Sequence, residues 1–160
     1  MTEMLSIKLI VNGIVVNKLV DPRQHLTDFL RSDLGLTGSH IGCEHGVCGA
    51  CSVRVNGRVV RGCLMLASQS DGAEIETIEG LVESGDLNEL MTEFVARNAL
   101  QCGFCTPGIL LTAAEIVAED RCFSRQEIRN ELSGNICRCT GYQAIIDAIE
   151  MVLIENMKKK

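Results

Sequence analysis

Eight of the nine cysteines in this 160-residue chain fall into two quartets, and their spacing constrains the fold more than any apolar run does. The first quartet is Cys43, Cys48, Cys51 and Cys63: C-x4-C-x2-C, then a fourth Cys after eleven residues. The second is Cys102, Cys105, Cys137 and Cys139: C-x2-C, a gap of thirty-one residues, then C-x-C. Four thiolates are what one 2Fe–2S cluster takes, and both spacings are of the iron–sulfur kind. Such a chain is expected to fold as two metal-organised halves. Bound metal can stabilise a core too small to hold alone, so two units of about eighty residues are a natural division.

The remaining composition narrows the class. Hydrophobic residues are 46% of the chain, yet Trp is absent and aromatics are 3%, so the cores must be aliphatic. The formal net charge of −6 argues against a nucleic-acid partner, which needs clustered Lys and Arg. The tail Lys158, Lys159, Lys160 is too short to change this, and reads as a helix cap or a solvated end. The first ten residues carry Glu3 and Lys8 and no apolar core of a signal peptide. No apolar run approaches the ~18 residues of a membrane span. A soluble, cytoplasmic protein is expected, and in a reducing cytosol so many cysteines point to metal rather than disulfides.

The first half reads as short strands with one helix. Leu5 to Val11 and Ile14 to Val20 are β-rich runs joined by Asn12-Gly13, a type I′ hairpin signal. A helical pattern follows over His25 to Asp33, then a Gly-rich loop containing Gly42, Gly46 and Gly49. Cys51 to Val55 and Arg58 to Gly62 predict a second hairpin round Asn56-Gly57, and Glu74 to Ile78 a last strand. The texture then becomes helical. Helices are expected over Asp86 to Ala99 with an Asp cap, and from Thr106-Pro107 to about Ala118 with Thr as N-cap. A third opens at the Ser124/Glu127 capping box and stops before Gly134, and a fourth covers Gly141 to Met157. The fold class is therefore α+β, with residues 1–80 as one domain and 81–160 as a four-helix domain. The connector is placed in Glu79 to Gly85.

Each quartet suits an anionic cluster. Burying one requires donors, and a Gly-rich backbone can curl its N–H groups round the sulfurs. The C-x2-C and C-x-C pairs of the second quartet both precede helix starts, whose free N–H groups favour thiolates. Competing readings exist. Structural zinc usually takes C-x2-4-C twice, unlike C-x4-C-x2-C. Cys43-Glu44-His45 hints at a Rieske site, but no His follows Cys51, so His45 reads as a loop residue. His25 and His40 read as solvated or structural. Cys102/Cys105 alone could be a thioredoxin-type pair, but there is no βαβ context and Cys137/Cys139 match them. Cys122 is left over and reads as a bystander. Arg138, between two ligands, could raise a cluster's potential or serve a salt bridge.

Three segments together carry a resemblance. They are Gly42-Cys43-Glu44-His45-Gly46-Val47-Cys48-Gly49-Ala50-Cys51, Gln101-Cys102-Gly103-Phe104-Cys105-Thr106-Pro107-Gly108, and Gly134-Asn135-Ile136-Cys137-Arg138-Cys139-Thr140-Gly141-Tyr142. In this order they resemble the iron–sulfur small subunit of the molybdenum hydroxylases, the xanthine oxidase family. The resemblance implies a plant-ferredoxin-like (β-grasp) N-terminal domain and an all-α C-terminal domain, each with a 2Fe–2S cluster. It implies a large molybdopterin subunit and a medium FAD subunit as partners, in a dimer of heterotrimers. Electrons would run from molybdenum through the Cys102/Cys105/Cys137/Cys139 cluster, then the Cys43/Cys48/Cys51/Cys63 cluster, to FAD. Gln101 and Cys139 match pterin-contacting positions. Glu44-His45-Gly46-Val47 between the ligands leans toward the N-heteroaromatic hydroxylases. The alternative is a free-standing two-cluster ferredoxin.

Overall fold

Two asparagine–glycine turns set the frame of the first half, and the computed structural model, which describes residues 3–159, shows why. Asn12 and Gly13 both take positive φ (49° and 77°), as do Asn56 and Gly57 (49° and 78°). That is the turn geometry whose twist matches a tight hairpin. The first turn joins β1 (Leu5–Val11) to β2 (Ile14–Val20), and the second joins β3 (Ser52–Val55) to β4 (Arg58–Arg61). A short β5 (Glu74–Glu76) lies between the hairpins, parallel to β1 and antiparallel to β3, giving the order β2-β1-β5-β3-β4. Alternation along β1 turns Ile7, Leu9 and Val11 inward. They meet Leu26, Phe29 and Leu30 from α1 (Leu26–Asp28) and the wider π turn that continues it (Phe29–Asp33). The helix expected over His25 to Asp33 is thus present but changes pitch midway. His25 is its N-cap, accepting from the Asp28 N–H at 3.2 Å.

Five helices follow: α2 (Ile78–Ser84), α3 (Asn88–Ala96), α4 (Thr106–Ala118), α5 (Arg125–Glu131) and α6 (Gln143–Lys158). The four expected helices appear as α3 to α6, and α2 is an addition. It occupies the segment read as a connector. Its Ile78 and Leu81 are buried with Leu87, Leu90, Phe94, Ile109, Leu111, Ile128 and the inner face of α6. Gly85 closes α2 at φ 86°, so the expected break is a helix C-terminus. Two N-caps also shift. Leu87, not Asp86, precedes α3 and offers no side-chain bond, while the Asp86 N–H donates to Ser84 Oγ. Cys105, not Thr106, is the N-cap residue of α4. The Ser124/Glu127 capping box forms as the sequence predicts.

One apolar core draws on residues 7–75 and the other on residues 78–153. Arg54 pairs with Glu76 within the sheet at 3.1 Å, and the Val59 N–H of β4 donates to Glu115 of α4 at 2.6 Å, so a polar contact also ties the sheet to the helices. Lys159 pairs with Glu89, while Lys160 of the basic tail lies outside the described residues. Among the described residues no helix is long and apolar enough to cross a membrane.

Candidate metal centres

The Gly-rich loop before β3 carries Cys43 and Cys48, β3 begins just after Cys51, and Cys63 sits in a single 3-10 turn after β4 (Gly62–Leu64). The loop backbone wraps Cys43. The Cys48 N–H donates to Cys43 Sγ at 3.4 Å, and the N–H groups of Cys48, then His45, hold this thiol down at about 6. Cys51 and Cys63 are buried. Burial pushes the Cys63 thiol up to about 11, with the sulfur of Cys51 beside it adding to the rise. The quartet thus divides into two adjoining pairs, Cys43 with Cys48 and Cys51 with Cys63.

The second quartet divides the same way. Cys102 Sγ and Cys139 Sγ are 3.6 Å apart. Cys105 neighbours Cys137: burial, with the Cys137 sulfur adding to it, raises Cys105 to about 12. Burial also opposes the Cys137 thiolate, yet Thr140, whose Oγ1–H donates to Cys137 Sγ at 3.0 Å, helps bring that thiol below its ordinary value. Cys139 is raised by the Cys102 sulfur beside it. The loop between these cysteines and α6 is shaped by Tyr142, which adopts a left-handed φ of 66°. Its hydroxyl accepts from the Cys137 N–H at 2.8 Å and donates to the Asn135 carbonyl at 3.1 Å.

Paired sulfurs suit a binuclear centre, in which each of two irons takes two thiolates. A zinc ion needs its four donors about 2.3 Å from one point. Among the described residues no group of three or more Cys, His, Asp or Glu side chains stands ready to hold a metal ion, so iron and zinc are separated here by donor spacing and chemistry. The raised thiols are no obstacle, because metal displaces their protons on binding.

The quartets touch each other through their loops, which sequence reasoning did not foresee. The Ile136 N–H donates to the Cys48 carbonyl at 2.8 Å, joining residues adjacent to or within both ligand sets. Asn135 Nδ2 donates to the Gly49 carbonyl at 3.3 Å. Arg61 reaches from β4 to the Gly134 carbonyl at 2.7 Å and to Ser52 Oγ at 2.6 Å. His40 stacks on Phe104, between Cys102 and Cys105, with ring centroids 4.6 Å apart, and its Nδ1 bonds the Phe104 carbonyl at 2.9 Å.

Known proteins resemble this chain. The family model described as 2Fe-2S iron-sulfur cluster binding domain matches residues 9–81, and that of the 2Fe-2S binding domain matches residues 77–150. Caffeine dehydrogenase subunit gamma of Pseudomonas sp. (strain CBB1) is 51% identical over 149 residues, covering 91% of this chain and 89% of that one. Nicotine 6-hydroxylase small subunit of Paenarthrobacter nicotinovorans is 47% identical over 92% of this chain and 89% of its own. The crystal structure of quinoline 2-oxidoreductase from Pseudomonas putida 86 superposes with a TM-score of 0.90 at 48% identity, over 98% of this chain and 97% of that one. The chain belongs to the iron–sulfur small subunits of the molybdenum hydroxylases.

In this small subunit the three histidines have structural partners. His45 Nδ1 bonds the Cys43 carbonyl within the loop, His40 joins the two ligand loops, and His25 caps α1. Arg138 has no ion-pair partner among the described residues. Gln101 and Cys102 are exposed, as is Cys139. Cys122 lies between α4 and α5, exposed, with its sulfur 3.1 Å from Met157 Sδ of α6. Cys122→Ser is expected to leave both cluster signals and turnover unchanged. Loss of either cluster's electron paramagnetic resonance (EPR) signal in that variant would show that Cys122 is a ligand.

Proposed function

We propose that this small subunit relays electrons through two 2Fe–2S clusters, one on Cys43, Cys48, Cys51 and Cys63 and one on Cys102, Cys105, Cys137 and Cys139. The observation that carries the reading is the pairing of sulfurs within each quartet, with the Cys48 carbonyl bonded to Ile136 beside Cys137. The sheet half is the β-grasp, plant-ferredoxin-like domain of residues 1–80, and the helical half is the domain of residues 81–160. Each bound cluster accepts and releases one electron.

The exposed edge of Gln101, Cys102 and Cys139 faces the molybdopterin of a large subunit, with Gln101 and Cys139 as the contacts. The sheet-half quartet faces a medium FAD subunit. Electrons enter at the helical half and leave at the sheet half. The substrate, an N-heteroaromatic compound, is oxidised on the large subunit, in keeping with the caffeine, nicotine and quinoline named for the relatives. The complex is a cytoplasmic dimer of heterotrimers. A free-standing ferredoxin is disfavoured because these relatives are subunits.

The test is metal, sulfide and flavin analysis of the complex purified through this chain. About four iron and four labile sulfide per copy of the chain are expected, from two clusters. Molybdenum and FAD should copurify. Zinc in place of iron, or a monomer complete without molybdenum and FAD, would overturn the reading.

A further inference from the structure

The contact between the two ligand loops is built round one buried amide. Asn135 is only 1% exposed, and both ends of its side chain are engaged. Its Oδ1 accepts from Thr112 Oγ1 of α4 at 2.9 Å, and its Nδ2 donates to the Gly49 carbonyl at 3.3 Å. Its own carbonyl takes the Tyr142 hydroxyl. The next residue donates its N–H to Cys48. Asn135 therefore spans α4, the sheet-half ligand loop and the helical-half ligand loop at one point.

Two glycines allow the approach. At Gly49 (φ 73°) an added Cβ would lie 2.4 Å from the Gly134 carbonyl and 2.7 Å from Asn135 Nδ2. At Gly108, on the first turn of α4, a Cβ would lie 2.1 Å from the Gly49 carbonyl. Real Cβ atoms do not sit so close to backbone, so any side chain here would force the loops apart. A buried amide left half-bonded is costly, so the sequence holds this clamp shut in the folded state.

We infer that Asn135, anchored by Thr112 and admitted by Gly49 and Gly108, is a positioning residue that sets the separation of the two clusters. Through that separation it sets the rate at which one electron crosses between them. The inference rests on the ligand assignment proposed above. In the step it serves, the reduced helical-half cluster is oxidised by one electron and the sheet-half cluster is reduced by one. No bond to the protein forms or breaks. One link is covalent from Cys48 to its carbonyl, crosses one hydrogen bond to the Ile136 N–H, and is covalent again to Cys137.

The test uses the whole complex carrying Asn135→Asp, Gly108→Ala, Thr112→Val or Thr112→Ser. Asn135→Asp removes the donor to Gly49 and sets a carboxylate against that carbonyl. Thr112→Val removes the hydroxyl, and Thr112→Ser restores it. Three quantities are read: iron and sulfide content, the magnetic splitting between the two reduced clusters in low-temperature EPR, and the inter-cluster electron-transfer rate by stopped flow. Asn135→Asp and Gly108→Ala are expected to keep both clusters, lose or narrow the splitting, and slow the inter-cluster step. A several-fold fall is expected, because the rate of electron tunnelling drops exponentially with separation. Thr112→Val should show a smaller loss, and Thr112→Ser should recover the wild-type splitting and rate. Wild-type splitting and rate in Asn135→Asp and Gly108→Ala, with both clusters present, would overturn the inference. If both variants lose iron, the Thr112 pair decides, and equal rates for Val and Ser would overturn it. A wild-type complex short of two clusters would instead overturn the ligand assignment.

Discussion

Cys43→Ser is expected to abolish steady-state turnover with a flavin-linked acceptor while leaving substrate able to reduce molybdenum and the helical-half cluster. Cys43 is the cysteine round which the Gly-rich loop folds, with its sulfur bonded by the Cys48 N–H at 3.4 Å. Losing it should destroy the sheet-half cluster. The helical-half quartet has its own four sulfurs, packed at the start of α4 and ahead of α6, so its cluster should persist. Electrons then stop at that cluster. Cys102→Ser should act earlier, removing the partner of Cys139 and blocking reduction of both clusters and the flavin. Anaerobic stopped flow, with cluster and flavin absorbance followed separately, distinguishes the two. Flavin reduction at the wild-type rate in a Cys43→Ser complex that has lost its sheet-half cluster would refute the linear order.

The second large effect concerns stability. Phe94 of α3 is 1% exposed and lies in the core shared by α2 to α6. Emptying a site of that volume costs about 3–5 kcal/mol. At roughly 2–4 °C per kcal/mol for a chain of this size, Phe94→Ala should lower the unfolding midpoint by on the order of 10 °C. The α3 helix packs against α6, and α6 follows directly on the Cys137/Cys139 loop, so the helical-half cluster should bleach before the sheet-half one on heating. A midpoint within about 2 °C of wild type, less than 1 kcal/mol on the same scale, would show that the core relaxes into the space.

Much of this was legible in the residues because it is local. Asn-Gly twice, with β-branched runs on each side, predicts two hairpins, and both formed. Ser124 with Glu127 predicts a capped helix start, and it formed. The cysteine spacing named both quartets, and the fold sets Cys102 Sγ 3.6 Å from Cys139 Sγ and the Cys48 N–H against Cys43 Sγ. What escaped depends on tertiary approach. Glu79 to Gly85 looked like a connector because it holds Gly80, Ser84 and Gly85 and few apolar residues. Only packing of Ile78 and Leu81 under α4 and the other helices makes it helical. Gly80 is tolerated there because Asn12 fills the space, where a Cβ would lie 2.3 Å from its Oδ1. The parallel pairing of β5 with β1 leaves no periodic trace in either strand. Asn135 carried no signal as a clamp: a polar residue beside a ligand motif reads as a loop residue until Thr112 and Gly49 are seen beside it.

The crosswise pairing of the second quartet changes the chain's topology as a polymer. With iron between Cys102 and Cys139, residues 37 apart in sequence are tied together, and Cys105 and Cys137 are tied inside that span. The molecule is then two nested rings with tails rather than a linear string. Closing a ring of that length removes freedom from the unfolded chain worth about 4 kcal/mol, by the loop-entropy relation used for disulfides. The helices α4 and α5 lie wholly within the rings. Their hold on the native state is therefore partly a property of the denatured ensemble, and losing the metal loosens them without breaking any contact they make.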